Sequence, residues 1–349
     1  MIRMQDKMKR NIHIKKIFVV CLVLILQLQQ GFAQDLRFSQ YFNSPLSINP
    51  ANTGFLPSSD YRLGAHYREQ WASVPVPYKT MSIYGDFQFM RNLIPSGWMG
   101  LGGLILQDVA GSGSLTSTKA YASLAYHQMI GSSSLLSAGF NLGLATKRIN
   151  ASALRFGDQW DGKFFSRPTS EILLNNSVGY FDLQAGLNYS FFPTDNLYFH
   201  GGFSMHHLNK PRESFFQQSN GVDNRIPVRS IAFLDAMVKV NDFVIVSPGV
   251  YYTKQGTASE FVGGLHLNYN LTGDGKQQLI AGVYTRPGDA IIPMIGYQWR
   301  SFKFTFSYDA TTSGLQSFNG GRGATEMYMQ YDGMYTLMYA NKQSFCPAF

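Results

Sequence analysis

The sequence predicts an all-β protein: a transmembrane outer-membrane β-barrel of about 14 antiparallel strands after a cleaved signal peptide. Apolar and polar side chains alternate with a period of two along most of the chain. Several alternating segments run for roughly 10 to 16 residues, whereas strands of soluble proteins average about 5 to 6. The composition agrees, since 14% of the residues are charged and 15% are aromatic. A wall that faces lipid keeps charge off one side of each strand, so a low charged fraction is expected.

Residues 1–33 have the three parts of a signal peptide. Basic residues dominate residues 1–16, an apolar run covers 17–26, and Gly31 and Ala33 place small residues before the expected cleavage site. This apolar run is too short for a membrane helix, which needs about 18 residues or more. Without the leader, 29 basic and 21 acidic residues become 23 and 20, so the net charge falls from +8 to +3. The sequence therefore gives little support to a nucleic-acid partner.

Two segments show the alternation most clearly. In residues 181–191 every second side chain is apolar, beginning with Phe181, and in residues 301–308 Phe302 begins a similar series. Such alternation predicts strands with one polar and one apolar face. The segments are expected to begin near residues 60, 78, 97, 115, 133, 176, 196, 225, 242, 256, 275, 289, 301 and 323.

The proposed connections differ in length along the chain. Those after odd-numbered strands include the long segments 147–175, 208–224 and 309–322, whereas those after even-numbered strands, such as Arg300–Ser301, are short. Arg286–Asp289 departs from this alternation, because it follows an odd-numbered strand and is nevertheless short. Membrane barrels carry long loops outside the cell and short turns in the periplasm. We therefore call connections after odd-numbered strands outer loops and those after even-numbered strands inner turns.

Residues 34–58 precede the barrel and have a composition of their own. Frequent proline and asparagine make a long helix or strand unfavourable there. The segment is nevertheless too apolar for a free tail, because it contains Phe38, Tyr41, Phe42, Leu46, Ile48 and Phe55. It packs either inside the barrel as a partial plug or against a periplasmic partner, and continuity with the first strand favours the plug. The predicted organisation is a signal peptide (1–33), this periplasmic or lumenal segment (34–58) and a barrel with a C-terminal tail (59–349).

Candidate catalytic residues are few. The histidines His66, His200, His206 and His266 fall on polar strand faces, where a wet lumen would place them. Ser204 lies near two of them, so a lipid hydrolase is an alternative, although a nucleophile-elbow motif is missing. The spacing of acidic residues does not suggest a metal site. We predict no enzyme, no metal and no cofactor.

The segment Gln34–Ala51, QDLRFSQYFNSPLSINPA, resembles the opening of the PorP/SprF family. Further family-like elements are Arg68 with Trp71, and Ser307-Tyr308-Asp309. Where the family often has His beside an acidic residue, this chain has Thr325 before Glu326. The family-motif positions are Phe38, Ser39, Gln40, Tyr41, Pro45, Asn49, Pro50, Trp71, Tyr308, Asp309 and Glu326.

The resemblance implies a function that composition cannot supply. PorP/SprF proteins are outer-membrane proteins of type IX secretion and gliding motility in Bacteroidetes. The resemblance implies a non-enzymatic barrel, in contact with outer-membrane lipid, that supports secretion or surface attachment of a large adhesin through its C-terminal sorting domain. The family offers two roles. A core secretion component would have type IX periplasmic ring components and a peptidoglycan-binding lipoprotein as partners, whereas a dedicated partner would serve one secreted adhesin. We favour the dedicated adhesin role. The alternatives are a general outer-membrane diffusion porin and, less favoured, a soluble secreted β-propeller.

Overall fold

The computed structural model describes residues 37–71, 77–91, 93–111, 113–169, 176–215 and 224–335. The predicted signal peptide and the tail after residue 335 lie outside these residues. The chain before the barrel forms a 3₁₀ turn at Tyr41–Asn43, a short helix α1 (Pro45–Ile48) and a second 3₁₀ turn at Pro50–Asn52. Proline opens the helix and the second turn, where its fixed φ is favourable and its missing N–H costs nothing.

Antiparallel strands form a closed barrel in which each strand pairs with its sequence neighbours and β1 pairs with β14. The strands are β1 (Tyr61–Gln70), β2 (Tyr78–Phe89), β3 (Gly97–Ala110), β4 (Leu115–Met129), β5 (Ser134–Arg148), β6 (Ser177–Thr194), β7 (Leu197–His206), β8 (Arg229–Lys239), β9 (Val244–Gln255), β10 (Ala258–Asn270), β11 (Gln277–Arg286), β12 (Ala290–Trp299), β13 (Phe302–Thr311) and β14 (Arg322–Gly333). A second short helix, α2 (Gln316–Asn319), precedes β14. The predicted fold class, with its 14 antiparallel strands, is confirmed.

The two faces of the barrel wall have opposite chemistry. In β6, Asp182 and Asn188 point inward and are buried, whereas Phe181 and Leu187 point outward and are exposed. Ile83, Leu144 and Ile295 are among the most exposed apolar side chains of the other strands. This apolar outer surface suits hydrocarbon, and the polar inner surface suits a wet or hydrogen-bonded lumen. Among the described residues, no helix is long and apolar enough to cross a membrane.

The strand positions agree closely with the expectation from sequence. The largest difference is at β8, which begins at Arg229 rather than near residue 225. Arg225 instead forms an isolated bridge with Arg212 across the preceding outer loop. The main outer loops span 149–176, 207–228 and 312–321, whereas the outer connections 256–257 and 287–289 are short.

The N-terminal segment packs inside the barrel. Leu46, Asn49 and Thr53 have no exposed surface. Tyr41 belongs to an apolar cluster with inward residues of β8 to β12, and Leu46 belongs to a second cluster with residues of β2, β3, β4 and β14. The protein core therefore lies in the lumen, between this segment and the barrel wall.

Candidate functional site in the barrel lumen

The N-terminal segment crosses the lumen from end to end. At the outer-loop end, Arg37 forms an ion pair of 3.0 Å with Glu260, near the start of β10. At the inner-turn end, the N–H of Asp60 donates to the carbonyl of Gly333, the last residue of β14. The direction follows from these two contacts, so residues 37–60 run from the outer loops toward the inner turns.

A group of charges, all buried except the partly exposed Arg37, lies at the outer-loop end, and we call it the ionic cluster. It contains three arginines and three carboxylates, and their charges balance. Its members are Arg37, Arg68, Glu260, Arg286, Asp309 and Glu326. Buried charges are costly unless they are paired and hydrogen-bonded, and here each guanidinium meets at least one carboxylate.

The hydroxyl of Ser39 lies at the centre of the ionic cluster. It donates to Asp309 Oδ2 at 2.7 Å and accepts from Arg68 Nη1 and Arg286 Nη2, both at 2.8 Å. These charge-assisted bonds are stronger than neutral ones. One small side chain of the N-terminal segment therefore joins charges from β1, β11 and β13.

Glu326 anchors the backbone of the same segment. Its carboxylate accepts the N–H of Ser39 at 2.5 Å and the N–H of Gln40 at 3.0 Å. His66 Nε2 donates to its second oxygen at 3.2 Å, and the ring of Phe38 stacks on His66 with centroids 3.9 Å apart. The imidazole beside this carboxylate thus comes from His66 on β1, whereas the neighbour of Glu326 in the sequence is Thr325.

Amide side chains hold the middle of the segment. Asn49 Nδ2 donates to Asn188 Oδ1 at 2.6 Å and to the carbonyls of Leu187 and Phe203. A Cβ on Gly186 would meet Asn49 Oδ1 at 1.9 Å. The absence of a side chain at position 186 is therefore what lets Asn49 reach the wall.

Glycine also allows backbone contact on the neighbouring strand β5. A Cβ on Gly139 would lie 2.3 Å from Ala51 N and from Pro50 C, both backbone atoms that cannot rotate away. Pro50 sits against this glycine as the first residue of its 3₁₀ turn. Pro45 opens α1, and its carbonyl accepts from Asn52 Nδ2 at 3.0 Å.

A further anchor lies toward the inner turns. Asp86 accepts the N–H of Gly54 at 2.8 Å and pairs with Arg62 through both of its oxygens. Trp98 Nε1 donates to the carbonyl of Gly54 at 2.9 Å. The segment is therefore held at its start, its middle and its end.

The family-motif positions separate into several locations. Ser39, Gln40, Asp309 and Glu326 come together at the outer-loop end. Tyr41 reaches a different group, because its hydroxyl donates to Asp235 on β8 at 2.8 Å.

Trp71 and Tyr308 are the motif positions that lie away from the lumen segment. Trp71 follows β1 with φ of 58° and packs edge-on against Tyr78, with centroids 5.3 Å apart. Tyr308 lies on the same side of β13 as the exposed Phe304 and Phe306. Both contribute to the wall and its rim.

Ser204 and its neighbouring histidine have structural contacts. Ser204 Oγ donates to the carbonyl of Ile48 at 2.6 Å and lies 3.4 Å from His206 Nε2. Both side chains are buried beneath the N-terminal segment. Within the described part of the chain, no group of His, Cys, Asp and Glu could hold a metal ion.

A buried triad of Asp182, His207 and Tyr121 lies beside the segment and was not predicted from the sequence. Asp182 accepts from His207 Nδ1 at 2.8 Å and from the Tyr121 hydroxyl at 2.7 Å. His207 directly follows β7 with φ of 57°, which turns its ring back into the lumen. Alternation alone places Asp182 inward, but it cannot predict that a residue outside a strand meets it.

The N-terminal segment leaves very different spaces on its two sides. Toward the outer loops, a cavity of about 20 Å³ lies between Phe38, Lys119 and Arg229, which is room for about one water molecule. Toward the inner turns, a cavity of about 390 Å³ lies between Phe42, Tyr198 and Lys303. The segment and the ionic cluster thus fill the outer half of the lumen in the described structure.

The sequence matches, over residues 30–349, the family model described as type IX secretion system membrane protein PorP/SprF. The chain belongs to this family. With the closed barrel, family membership makes it an outer-membrane barrel of the type IX secretion system. A comparison with curated proteins finds no match.

Solved structures with a similar fold include two toluene transporters and a FadL homologue. The Ralstonia pickettii toluene transporter TbuX aligns with TM-score 0.50 and 9% identity, covering 84% of this chain and 94% of that one. The Pseudomonas putida toluene transporter TodX aligns with TM-score 0.50 and 10% identity, covering 84% of this chain and 94% of that one. A Pseudomonas aeruginosa FadL homologue aligns with TM-score 0.50 and 12% identity, covering 83% of this chain and 94% of that one. At these identities the likeness extends to the fold of this PorP/SprF barrel and not to its ligand.

Proposed function

We propose that this PorP/SprF barrel is a non-enzymatic component that supports secretion or surface attachment of a large adhesin by binding its C-terminal sorting domain. The observation that carries the proposal is that the N-terminal segment occupies the outer half of the lumen of a barrel from a secretion family. A barrel whose lumen is occupied in this way can bind a partner at its surface but does not provide an open channel for a secreted protein. Its contribution to secretion then comes from binding a partner.

The outer loops are the favoured surface for the adhesin, because loops on a rigid scaffold commonly carry binding function. Trp160, Phe164 and Phe165 are exposed in the loop between β5 and β6, and Leu208 and Leu315 are exposed in the other two long loops. Aromatic side chains are enriched in the energetic centres of protein interfaces. Apolar groups on all three long loops support a single contact face.

The inner turns offer a second face, which suits the core secretion role. Leu93, Ile130, Val240 and Phe243 are exposed apolar residues at these turns. Periplasmic ring components and a peptidoglycan-binding lipoprotein would approach from this side. The dedicated adhesin role and the core role therefore differ in which end of the barrel carries the contacts.

A mild-detergent pull-down of the tagged protein from native outer membranes, followed by mass spectrometry, tests the proposal. A large adhesin as the dominant partner would support the dedicated role. Ring components with a peptidoglycan-binding lipoprotein would contradict that role in favour of the core role. Recovery of the barrel alone would contradict both.

The general diffusion porin is the second candidate function, and planar-bilayer recording tests it. The contacts of residues 37–60 favour a low conductance for the intact chain, since this segment would have to leave the lumen before ions could pass freely. Deletion of residues 37–55 is expected to give stepwise channel openings. Large, steady openings from the intact chain would instead support the porin.

A further inference from the structure

The cavity on the inner-turn side has the size of a ligand site. Its volume is about 390 Å³, within the range of roughly 300 to 1,000 Å³ that is typical of small-molecule pockets. Its lining combines aromatic residues from the N-terminal segment with aromatic and charged residues from the barrel wall. The lining residues used below are Tyr41, Phe42, His200, Phe233, Asp235 and Tyr284.

Asp235 is a carboxylate without an ionic partner in this lining. Its Oδ1 accepts one hydrogen bond, from the hydroxyl of Tyr41 at 2.8 Å. Among the described residues, no ion pair joins it to a basic side chain, and burial and the Tyr41 hydrogen bond are what act on its charge. A charge in such surroundings is costly unless an opposite charge joins it.

Aromatic rings surround this carboxylate. Tyr41 stacks on Tyr251 and meets Tyr284 edge-on, with centroid distances of 5.1 Å and 6.3 Å. Phe42 stacks on Tyr284 at 5.0 Å, and Phe233 lines the cavity beside them. Aromatic faces attract organic cations, and the attraction is larger where water is displaced.

A second acceptor is available opposite Asp235. His200 on β7 is the register neighbour of Asp235 on β8. Its Nε2 atom is buried without a hydrogen-bond partner among the described residues. The ring is fixed by stacking on Phe55 at 5.0 Å and by an edge contact with Phe233. An ammonium group has three N–H donors and could use both residues.

Gly249 maintains the space around the carboxylate. A Cβ at this position would lie 2.3 Å from Asp235 Oδ1 and 2.5 Å from the Tyr41 hydroxyl. The Tyr41–Asp235 contact therefore depends on a glycine at position 249 of β9. The N-terminal segment and the strands β7, β8, β9 and β11 thus build the site together.

The cationic side chains of the cavity are engaged elsewhere. Lys303 donates to Asn43 Oδ1 at 3.0 Å and lies over the ring of Tyr328 at 5.9 Å. Arg62 is paired with Asp86 through two hydrogen bonds. The other carboxylate of the lining, Asp332, interacts with the charges of Arg62 and Lys303, whereas Asp235 has no such neighbour among the described residues.

We propose that the inner-turn cavity binds an organic cation, an ammonium group attached to an aromatic or apolar body, with Asp235 and His200 receiving the ammonium and the aromatic rings enclosing the body. This site is separate from the adhesin contact and does not depend on it. The same chemistry is offered by a free amine or by a lysine side chain of a polypeptide that enters from the inner-turn side.

Calorimetric titration of the full barrel in detergent micelles, with empty micelles as the blank, tests the site. The probes are phenethylammonium, phenethyl alcohol and 3-phenylpropionate, which share the ring and differ in charge. Phenethylammonium is expected to bind more tightly than the other two. Equal binding of the three probes, or preference for 3-phenylpropionate, would overturn the proposal without requiring any variant.

Two variants locate the binding. Asp235→Asn should weaken phenethylammonium binding about tenfold or more, because the ion pair and the cation–π contacts act together. Asp332→Asn is the matched control, since Asp332 also lines the cavity but interacts with the charges of Arg62 and Lys303, and it should change binding by less than about twofold. An equal loss in both variants would contradict the assignment to Asp235.

A pair of peptides separates the two sources of the cation. Acetyl-Phe-Lys-Phe-amide and its norleucine counterpart differ in the ammonium group alone. Tighter binding of the lysine peptide than of phenethylammonium would identify a polypeptide as the source, and the reverse order would identify a small amine. If neither the lysine peptide nor phenethylammonium binds, the cation site does not exist.

Discussion

Arg68 and Glu326 face each other across the seam where the first and last strands close the barrel, and their side chains form a buried ion pair. The same carboxylate accepts the backbone N–H groups of Ser39 and Gln40. Closure of the barrel and placement of the N-terminal segment thus share one side chain. A change at Glu326 should affect both.

Glu326→Gln keeps the shape of the side chain and removes its charge. We expect the free energy of unfolding to fall by about 3 to 5 kcal/mol, as when one partner of a buried ion pair is removed. Urea unfolding in detergent measures this change. Asp242→Asn is the control, because Asp242 pairs with Lys239 while its side chain is 80% exposed, and loss of an exposed pair costs about 0 to 1 kcal/mol. Equal unfolding midpoints for the two variants would show that the seam pair adds little.

The sequence predicts the positions of the strands but not the contacts within the ionic cluster. Alternation marks each strand locally, so the strand starts could be found from the residues themselves. It did not place Asp309, which was assigned to the outer loop 309–322 and instead lies in β13. It could not show that Ser39 meets Asp309, which is 270 positions away. Glu260 and Arg286 were missed for the same reason, since a polar strand end does not reveal its partner. The path of the N-terminal segment across the lumen decides these contacts, and that path has no periodic signal.

Gly139→Ala tests whether the segment is held by close backbone contact. The new Cβ would lie 2.3 Å from the backbone of Pro50 and Ala51, so the segment or β5 must shift at a cost of about 1 to 3 kcal/mol. The measurements are the unfolding midpoint and the protease sensitivity of residues 37–58. In the control Gly103→Ala the nearest atom is at 3.5 Å, and both quantities should stay as in the unmodified protein. Unchanged protease sensitivity and stability in Gly139→Ala would contradict tight packing at this site.

The outer loop between β5 and β6 should depend on pH through Asp161. Hydrogen bonds from Ser166 and from the N–H groups of Phe164 and Lys163 lower the pKa of Asp161 to about 2 from its ordinary value of 3.8. A lowered pKa means that the charged form holds the turn, so its contribution is complete above about pH 4 and is lost as pH falls through about 2. Amide hydrogen exchange of Lys163 and Phe164, corrected for intrinsic rates, should show this loss.

A variant separates the Asp161 carboxylate from general acid effects on the loop. Asp161→Asn should exchange rapidly at these two amides even at neutral pH. Asp158→Asn is its control, because Asp158 accepts from the Thr169 side chain rather than from these N–H groups. Rapid exchange in both variants would mean that the loop as a whole, and not the Asp161 turn, had been disturbed.

The exposed rings of the same loop give the sharpest test of where a secreted partner binds. Trp160 and Phe164 are 46% and 61% exposed, so replacing both with alanine should leave the unfolding midpoint of the barrel nearly unchanged. If the adhesin contacts the outer loops, loss of two aromatic anchors should weaken its binding by about 2 kcal/mol or more, which is about thirtyfold or more in affinity. Quantitative pull-down from native membranes measures this loss.

Leu93→Ala provides the comparison at the opposite end of the barrel. Leu93 is 77% exposed at an inner turn, so the variant removes a similar apolar contact without touching the outer loops. Adhesin recovery should therefore be unchanged in Leu93→Ala and reduced in the Trp160→Ala, Phe164→Ala double variant. The opposite pattern would place the contact at the inner turns, because only a partner on that side could respond to Leu93, and the core secretion role would then replace the dedicated one.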